Sequence, residues 1–213
     1  MSKKILLLLA DGFEPMEAAG FTDVMGWANI DGEVPVETVS AALHSTIQAS
    51  FAYRVQADKL LSQIDATEFD ALAIPGGMDR GGIHGGFYRD AYSSEFQRTI
   101  QDFAAAGKPV ATVCVGSLAL GVAGVIKGKR ATVYHQKGGK RRSELERFGA
   151  HFVDQPVVQD GNIITSTGPG TAVEVAFSLL ENLTSSTNAD HVRALMRQPT
   201  PPPNWYSAPQ VAE

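Results

Sequence analysis

The sequence predicts an α/β protein with a mostly parallel sheet and helices on both faces. Three observations carry that reading. Apolar runs of strand length alternate with segments whose apolar residues recur at helical spacing, almost from end to end. The first run, ILLLLA, is apolar throughout, as a strand covered on both faces must be. The chain has 213 residues, 44% hydrophobic and 19% charged, which suits one sizeable soluble core.

The elements follow in order. KILLLLA is the first strand. PMEAAGFTDVMGWANI is the first helix, with Pro15 suited to an opening turn. VPVETVSAA is a strand, and TIQASFAYRVQA alternates like an exposed strand or half of a hairpin. DALAIPGG is a short strand running into a glycine turn. SSEFQRTIQDFAAAG is a helix with a serine cap and a closing Gly107. KPVATV is a strand and GSLALGVAGVI the helix after it. RATVYH is a further strand, RSELERFG a short helix and AHFV a strand. PVVQDGNIITS reads as a hairpin turning at Asp160-Gly161. TAVEVAFSLLENL and DHVRALMR are the closing helices. Residues 1–197 therefore read as a single α/β domain. Residues 198–213, QPTPPPNWYSAPQVAE, read as a loose, proline-rich tail in which Trp205 and Tyr206 are the side chains able to dock.

Several functions are excluded or disfavoured by composition. A formal net charge of -5 gives no global positive field for nucleic acid. The six-residue apolar run near the start is too short for a signal peptide's core or a membrane span. A single cysteine forms no internal disulfide, and the protein is expected in the cytoplasm, with no nucleic-acid or membrane partner. His44, His84, His135, His151 and His191 are scattered without metal-ligand spacing, so no metal or other cofactor is expected.

Ligands of open parallel sheets bind beyond the carboxyl ends of the strands. Four segments deliver chemistry there: Asp11, Glu14 and Glu17 after the first strand, Gly76 and Gly77 after DALAI, Cys114 after PVATV and His135 after RATVY. Cys114 sits where a nucleophile elbow would put it, on the turn from strand to helix, with Gly116 permitting the sharp change of direction. The helix N-terminus is expected to lower the pKa of its thiol. A free cysteine is also a small buried hydrophobe, and position alone leaves both roles open. Glu14 reads as a partner of the helix dipole. Glu17 lies a turn deeper among apolar residues, where an inward carboxyl would keep its proton at neutral pH. The backbone N–H groups of Gly76, Gly77 and Val115 are candidates for an oxyanion hole, or form a simple turn. His135 is a candidate base, or a polar residue at a strand end. DRGGIHGGFYRDAY, residues 79–92, lacks a phosphate-loop lysine and reads as a mobile rim or dimer-contact loop. The basic stretch Lys127 to Arg142 reads as a solvated loop, with attraction of an anionic substrate as the other reading.

Taken together, KILLLLADGFEPMEA, AIPGG, ATVCVGSLALG, RATVYH and GNIITSTGPGTAVEVAFSLLENL, in that order, resemble the DJ-1/ThiJ/PfpI superfamily. The resemblance implies a flavodoxin-like three-layer sandwich, related to class I glutamine amidotransferase domains, and a homodimer. It implies that Cys114 is the reactive nucleophile, that Glu17 is the protonated glutamate hydrogen-bonded to it, and that His135 stands nearby. TGPGTA matches the family's entry into its last helix. Two departures narrow the activity. PfpI-type proteases carry histidine directly after the cysteine, where this chain has Val115, and isonitrile hydratases carry aspartate where this chain has Glu17. The expected function is a cofactor-free cysteine enzyme acting on a small electrophile, foremost a reactive carbonyl, as a glyoxalase or deglycase does. The alternatives are a redox or stress sensor working through oxidation of Cys114, and an isonitrile hydratase-like or amidase-like hydrolase.

Overall fold

A seven-stranded sheet with helices on both faces organises the chain. The computed structural model describes residues 2–51 and 53–211. The sheet is formed by β1 (Lys3–Leu8), β2 (Val36–Ala42), β5 (Lys59–Leu60), β6 (Ala71–Ile74), β7 (Val110–Thr112), β10 (Val157–Asp160) and β11 (Ile163–Ser166). Its order is β10-β11-β7-β6-β1-β2-β5, parallel except for the β10–β11 hairpin. A separate hairpin pairs β3 (Thr46–Gln48) with β4 (Arg54–Gln56), as the alternation of that segment predicts.

The first strand shows why its run is apolar on both sides. Ile5, Leu7 and Leu9 join a cluster with Phe21, Val24, Met25 and Ala28 of α1 (Pro15–Asp31) and with Val175, Ala176 and Leu179 of α6 (Ala172–Leu183). Leu6 and Leu8 face the opposite cluster, with Phe96, Ile100 and Phe103 of α3 (Ser94–Ala105) and Leu118 of α4 (Gly116–Val122). Successive side chains of a strand point to opposite faces, so two helical layers require an unbroken apolar run. Phe21, Val24, Met25 and Ala28 are spaced as one face of a helix, and α1 starts where Glu14 caps it, accepting the Met16 N–H at 3.3 Å.

The structure departs from the sequence reading in four places. RATVYH is not a strand of the sheet: only β8 (Arg130–Ala131) is extended in a ladder, pairing with β9 (His151–Phe152) in its own two-stranded sheet. Thr132 leaves that ladder to give its N–H to Thr165 Oγ1, so His135 does not lie at a strand end of the main sheet. Residues 79–92 are not merely a rim, because they contain α2 (Phe87–Ala91) and are tied down by Asp11. The helix read at 190–197 begins earlier, as α7 (Ser186–Leu195), because the Ser185 side chain accepts the Asn188 N–H at 3.1 Å. The tail is not loose over its described residues. Tyr206 donates its hydroxyl to Glu174 Oε2 at 2.8 Å, and Gln210 N–H reaches Asp154 Oδ1 at 2.8 Å.

No helix among the described residues is long and apolar enough to cross a membrane.

Candidate active site

β7 ends at Thr112, and two residues later the backbone turns. Cys114 has φ +59°, the left-handed region, which costs a residue with a side chain roughly 1 kcal/mol or more. Three bonds hold it there. Its N–H donates to Ser166 O of β11 at 3.0 Å, its carbonyl accepts the Tyr134 N–H at 3.4 Å, and Gly116 N–H closes the turn on Val113 O at 2.9 Å. Gly116 is required by space, since a Cβ there would stand 2.9 Å from Ile74 O. The elbow aims a partly exposed thiol into a cavity of about 500 Å³ beyond the carboxyl ends of β1, β6 and β7.

Glu17 reaches the same point from α1 and is fully buried. Its Oε2 accepts the Gly76 N–H at 2.6 Å, while Oε1 has no nitrogen or oxygen partner. Gly76 marks where the three parts meet. A Cβ on it would lie 2.9 Å from Glu17 Oε2, 2.9 Å from Val115 N and 3.0 Å from Cys114 Cβ. Only a residue without a side chain lets carboxyl, thiol and elbow amide converge.

Burial dominates the electrostatics of this pair. It pushes the Glu17 carboxyl up to about 8, against the hydrogen bonds from Cys114 and Gly76. Burial, together with the Glu17 carboxyl, also pushes the Cys114 thiol well above its ordinary range. The expected lowering by the helix N-terminus is therefore overturned. The Val115 N–H does favour the thiolate, but desolvation and the neighbouring carboxyl outweigh it. At neutral pH both groups hold their protons, and the first to leave belongs to the pair rather than to either residue.

The amides of the proposed oxyanion hole separate. Gly76 N–H is engaged by Glu17, so it is withdrawn from that role. Gly77 and Val115 both line the cavity. The bridge between Gly77 and Phe13 is made by the neighbouring amides, Glu14 to Gly76 O and Met78 to Gly12 O, which leaves the Gly77 N–H without a partner among the described residues. Glu14 caps α1 as expected, but it does more. Its Oε2 is buried without a partner, burial raises its pKa, and it lines the cavity beside Glu17.

His135 follows Tyr134, whose N–H meets the Cys114 carbonyl, but its ring turns to other partners. It lies outside the lining of the thiol's cavity, with Nδ1 2.8 Å from Val133 O and Nε2 3.1 Å from Asp154 Oδ1, the latter off the line of a hydrogen bond. Asp11 also has a different task. Its carboxylate accepts backbone N–H groups of Gln48, His84 and Gly86 and so pins the glycine-rich loop against the β3–β4 hairpin. Burial alone would raise its pKa, but these backbone bonds outweigh burial and hold it below the usual value.

Two further cavity residues escape the sequence reading. Tyr88 precedes no recognisable motif, and Arg141 belongs to the basic stretch that reads as solvated. In the structure Arg141, at the start of α5 (Arg141–Arg147), lies over the Tyr88 ring at 4.6 Å, and both line the cavity. Among the described residues, no group of three or more His, Cys, Asp or Glu side chains is placed to hold a metal ion.

Known proteins resemble this chain in sequence and fold. The model of the DJ-1/PfpI family matches residues 3–182. The protein dj-1beta of Drosophila melanogaster is 31% identical over 192 residues, 90% of this chain and 95% of its own. A protein named deglycase TK1284, from Thermococcus kodakarensis, is 31% identical over 167 residues, 78% of this chain and 91% of its own. Protein DJ-1 homolog A of Arabidopsis thaliana is 33% identical over 202 residues; these are 94% of this chain but 48% of that protein, so the chain spans about half its length. The crystal structure of Drosophila DJ-1beta superposes with a TM-score of 0.80 at 28% identity, covering 94% of this chain and 100% of that one.

Proposed function

The chain belongs to the DJ-1/PfpI family, and from that premise we propose that it is a cofactor-free enzyme in which Cys114 attacks the carbonyl of a small reactive aldehyde. The observation that carries the reading is the left-handed Cys114, held by its neighbours beside a buried Glu17 in an open cavity. Strain maintained by surrounding bonds is worth keeping where a nucleophile must be aimed. Relatives named as deglycases support a carbonyl substrate.

The steps use groups already placed. The Cys114–Glu17 pair loses one proton, and the sulfur of Cys114 bonds to the aldehyde carbon of methylglyoxal. The carbonyl electrons move to oxygen, where the N–H of Gly77, and that of Val115 once the sulfur has bonded to carbon and released it, stabilise the charge. Glu17 gives the pair's remaining proton to that oxygen. Its carboxylate then carries the proton of the former aldehyde carbon to the neighbouring ketone carbon while the hydroxyl proton passes to the ketone oxygen, which leaves a thioester of lactate on Cys114. Water cleaves the thioester, so the balance is methylglyoxal plus water to lactate. His135, engaged elsewhere, takes no step in this scheme.

A redox role has one observation in its favour. Glu17 is buried beside Cys114 with no nitrogen or oxygen partner for Oε1 among the described residues, and a proton held there would stabilise an oxidised sulfur by hydrogen bonding. The raised thiol pKa counts against it, because it is the thiolate that oxidises. We also take the active form to be a homodimer; the exposed face of α1, which carries Met16, Trp27 and Ile30 around Asp23, supports this.

The test follows methylglyoxal consumption and lactate formation by the wild-type protein and by Cys114→Ala. The expected outcome is turnover in the wild type and a loss of about a thousandfold or more in the variant. Equal turnover in both overturns the mechanism. No turnover in either, with Cys114 gaining oxygen under mild peroxide by mass spectrometry, favours the redox role instead.

A further inference from the structure

The wall of the cavity opposite in character to the buried carboxyl pair is cationic. Arg141 stacks on Tyr88, and both line the cavity into which Cys114 opens. Stacking fixes the guanidinium in place. Only Nη1 is engaged, donating to Glu144 Oε2 at 2.7 Å; Nε and Nη2 have no protein partner among the described residues. The Glu144 carboxylate is shared, since Lys140 Nζ also stands 3.6 Å from its Oε1. Two cations on one carboxylate leave a net positive charge at this point. Arg80 adds a second guanidinium to the lining, with the Asp79 carboxylate next to it, so the unbalanced cation of the wall is Arg141. The cavity, at about 500 Å³, is one of which methylglyoxal would fill only a fraction.

We propose that the substrate is a 2-oxoaldehyde carrying a carboxylate, bound by Arg141 while its aldehyde faces Cys114. This rests on the carbonyl-enzyme reading and adds the charge of the molecule. The planar guanidinium matches a carboxylate in geometry, and its two unengaged nitrogens are available to it. The product is then a 2-hydroxy acid with two carboxylates. Atoms balance as for methylglyoxal: one water enters, and the aldehyde carbon is oxidised while the ketone carbon is reduced.

Two measurements test this separately. The first compares kcat/KM for 4,5-dioxopentanoate and methylglyoxal in the wild type, Arg141→Met and Arg141→Lys. The wild type should prefer the anionic substrate by about tenfold or more, the methionine variant should lose that preference through KM, and the lysine variant should recover part of it. The second needs no turnover. Cys114 is the only cysteine, so its alkylation by anionic iodoacetate and neutral iodoacetamide reads the site directly. The ratio of the two rates should fall about tenfold in Arg141→Met and stay near wild type in Arg141→Lys. An unchanged ratio overturns the anion site. A changed ratio with no turnover of either aldehyde keeps the anion site and sinks the carbonyl-enzyme reading.

Discussion

Glu17 shows how one buried carboxyl couples activity to stability. Its pKa moves from 4.5 to about 8 on folding. Below pH 4.5 folded and unfolded chains both hold the proton. Between that value and about 8, the folded protein holds a proton that the unfolded chain has lost, so stability falls as pH rises through this window. Replacing Glu17 by Gln removes the slope. Thermal melts should show Glu17→Gln gaining on wild type from pH 5 to pH 8.5, by an amount on the order of 2–4 kcal/mol; an equal difference at both pH values would contradict the burial argument. Activity should move the other way. Wild-type kcat/KM should climb with pH toward about 8, as the pair gives up its first proton, and Glu17→Gln should lose roughly a hundredfold or more. The sequence allowed Cys114 and Glu17 to be singled out, because a thiol on a strand-to-helix turn and an acid one turn into an apolar helix are both visible locally. The direction of the thiol's shift was not legible. It depends first on how deeply the fold buries the elbow and then on how closely α1 brings a carboxyl to it, and both are set by tertiary packing.

At the scale of elements, failures of the sequence reading share a cause. RATVYH is apolar and β-branched enough for a strand, yet only Arg130–Ala131 finds a ladder, because Thr165 draws Thr132 aside. Period and composition identify a strand's preference but not its partner. His135 accordingly does not stand at a strand end of the main sheet, and its expected nearness to Cys114 rests on the family resemblance alone. The α2 helix was missed because glycines dominate its surroundings, and its order comes from the distant Asp11. The tail's prolines likewise read as loose, while its attachment depends on α6 and α7. Arg193 of α7 meets Glu174 of α6 through two bonds of 2.7 Å, and Tyr206 joins the same carboxylate. Burial and that carboxylate push the Tyr206 hydroxyl up to about 12, so it stays a donor. Arg193→Met would leave Glu174 buried with only the tyrosine. Denaturant unfolding should register a loss of about 3–5 kcal/mol, and proteolysis should clip the tail faster; an unchanged midpoint would mean that the pair is idle.

For the whole molecule, the layered sheet was the most legible level, since a buried parallel strand and amphipathic helices leave strong local patterns. Strand order was not legible from those patterns, and the homodimer came only from the family resemblance. Sedimentation velocity at micromolar concentration should give a dimer, and Trp27→Asp on the exposed face of α1 should shift it toward monomer; a monomeric wild type would refute that assembly. The order of the sheet carries a consequence in time. β7 lies between β6 and β11, and the amide of Cys114 is tied to Ser166, at the end of β11. On a ribosome, the cysteine leaves the exit tunnel long before the strand that fixes its backbone has been made. Until then it is an ordinary thiol on a wandering loop, and the growing chain acquires its nucleophile only when β11 slots in.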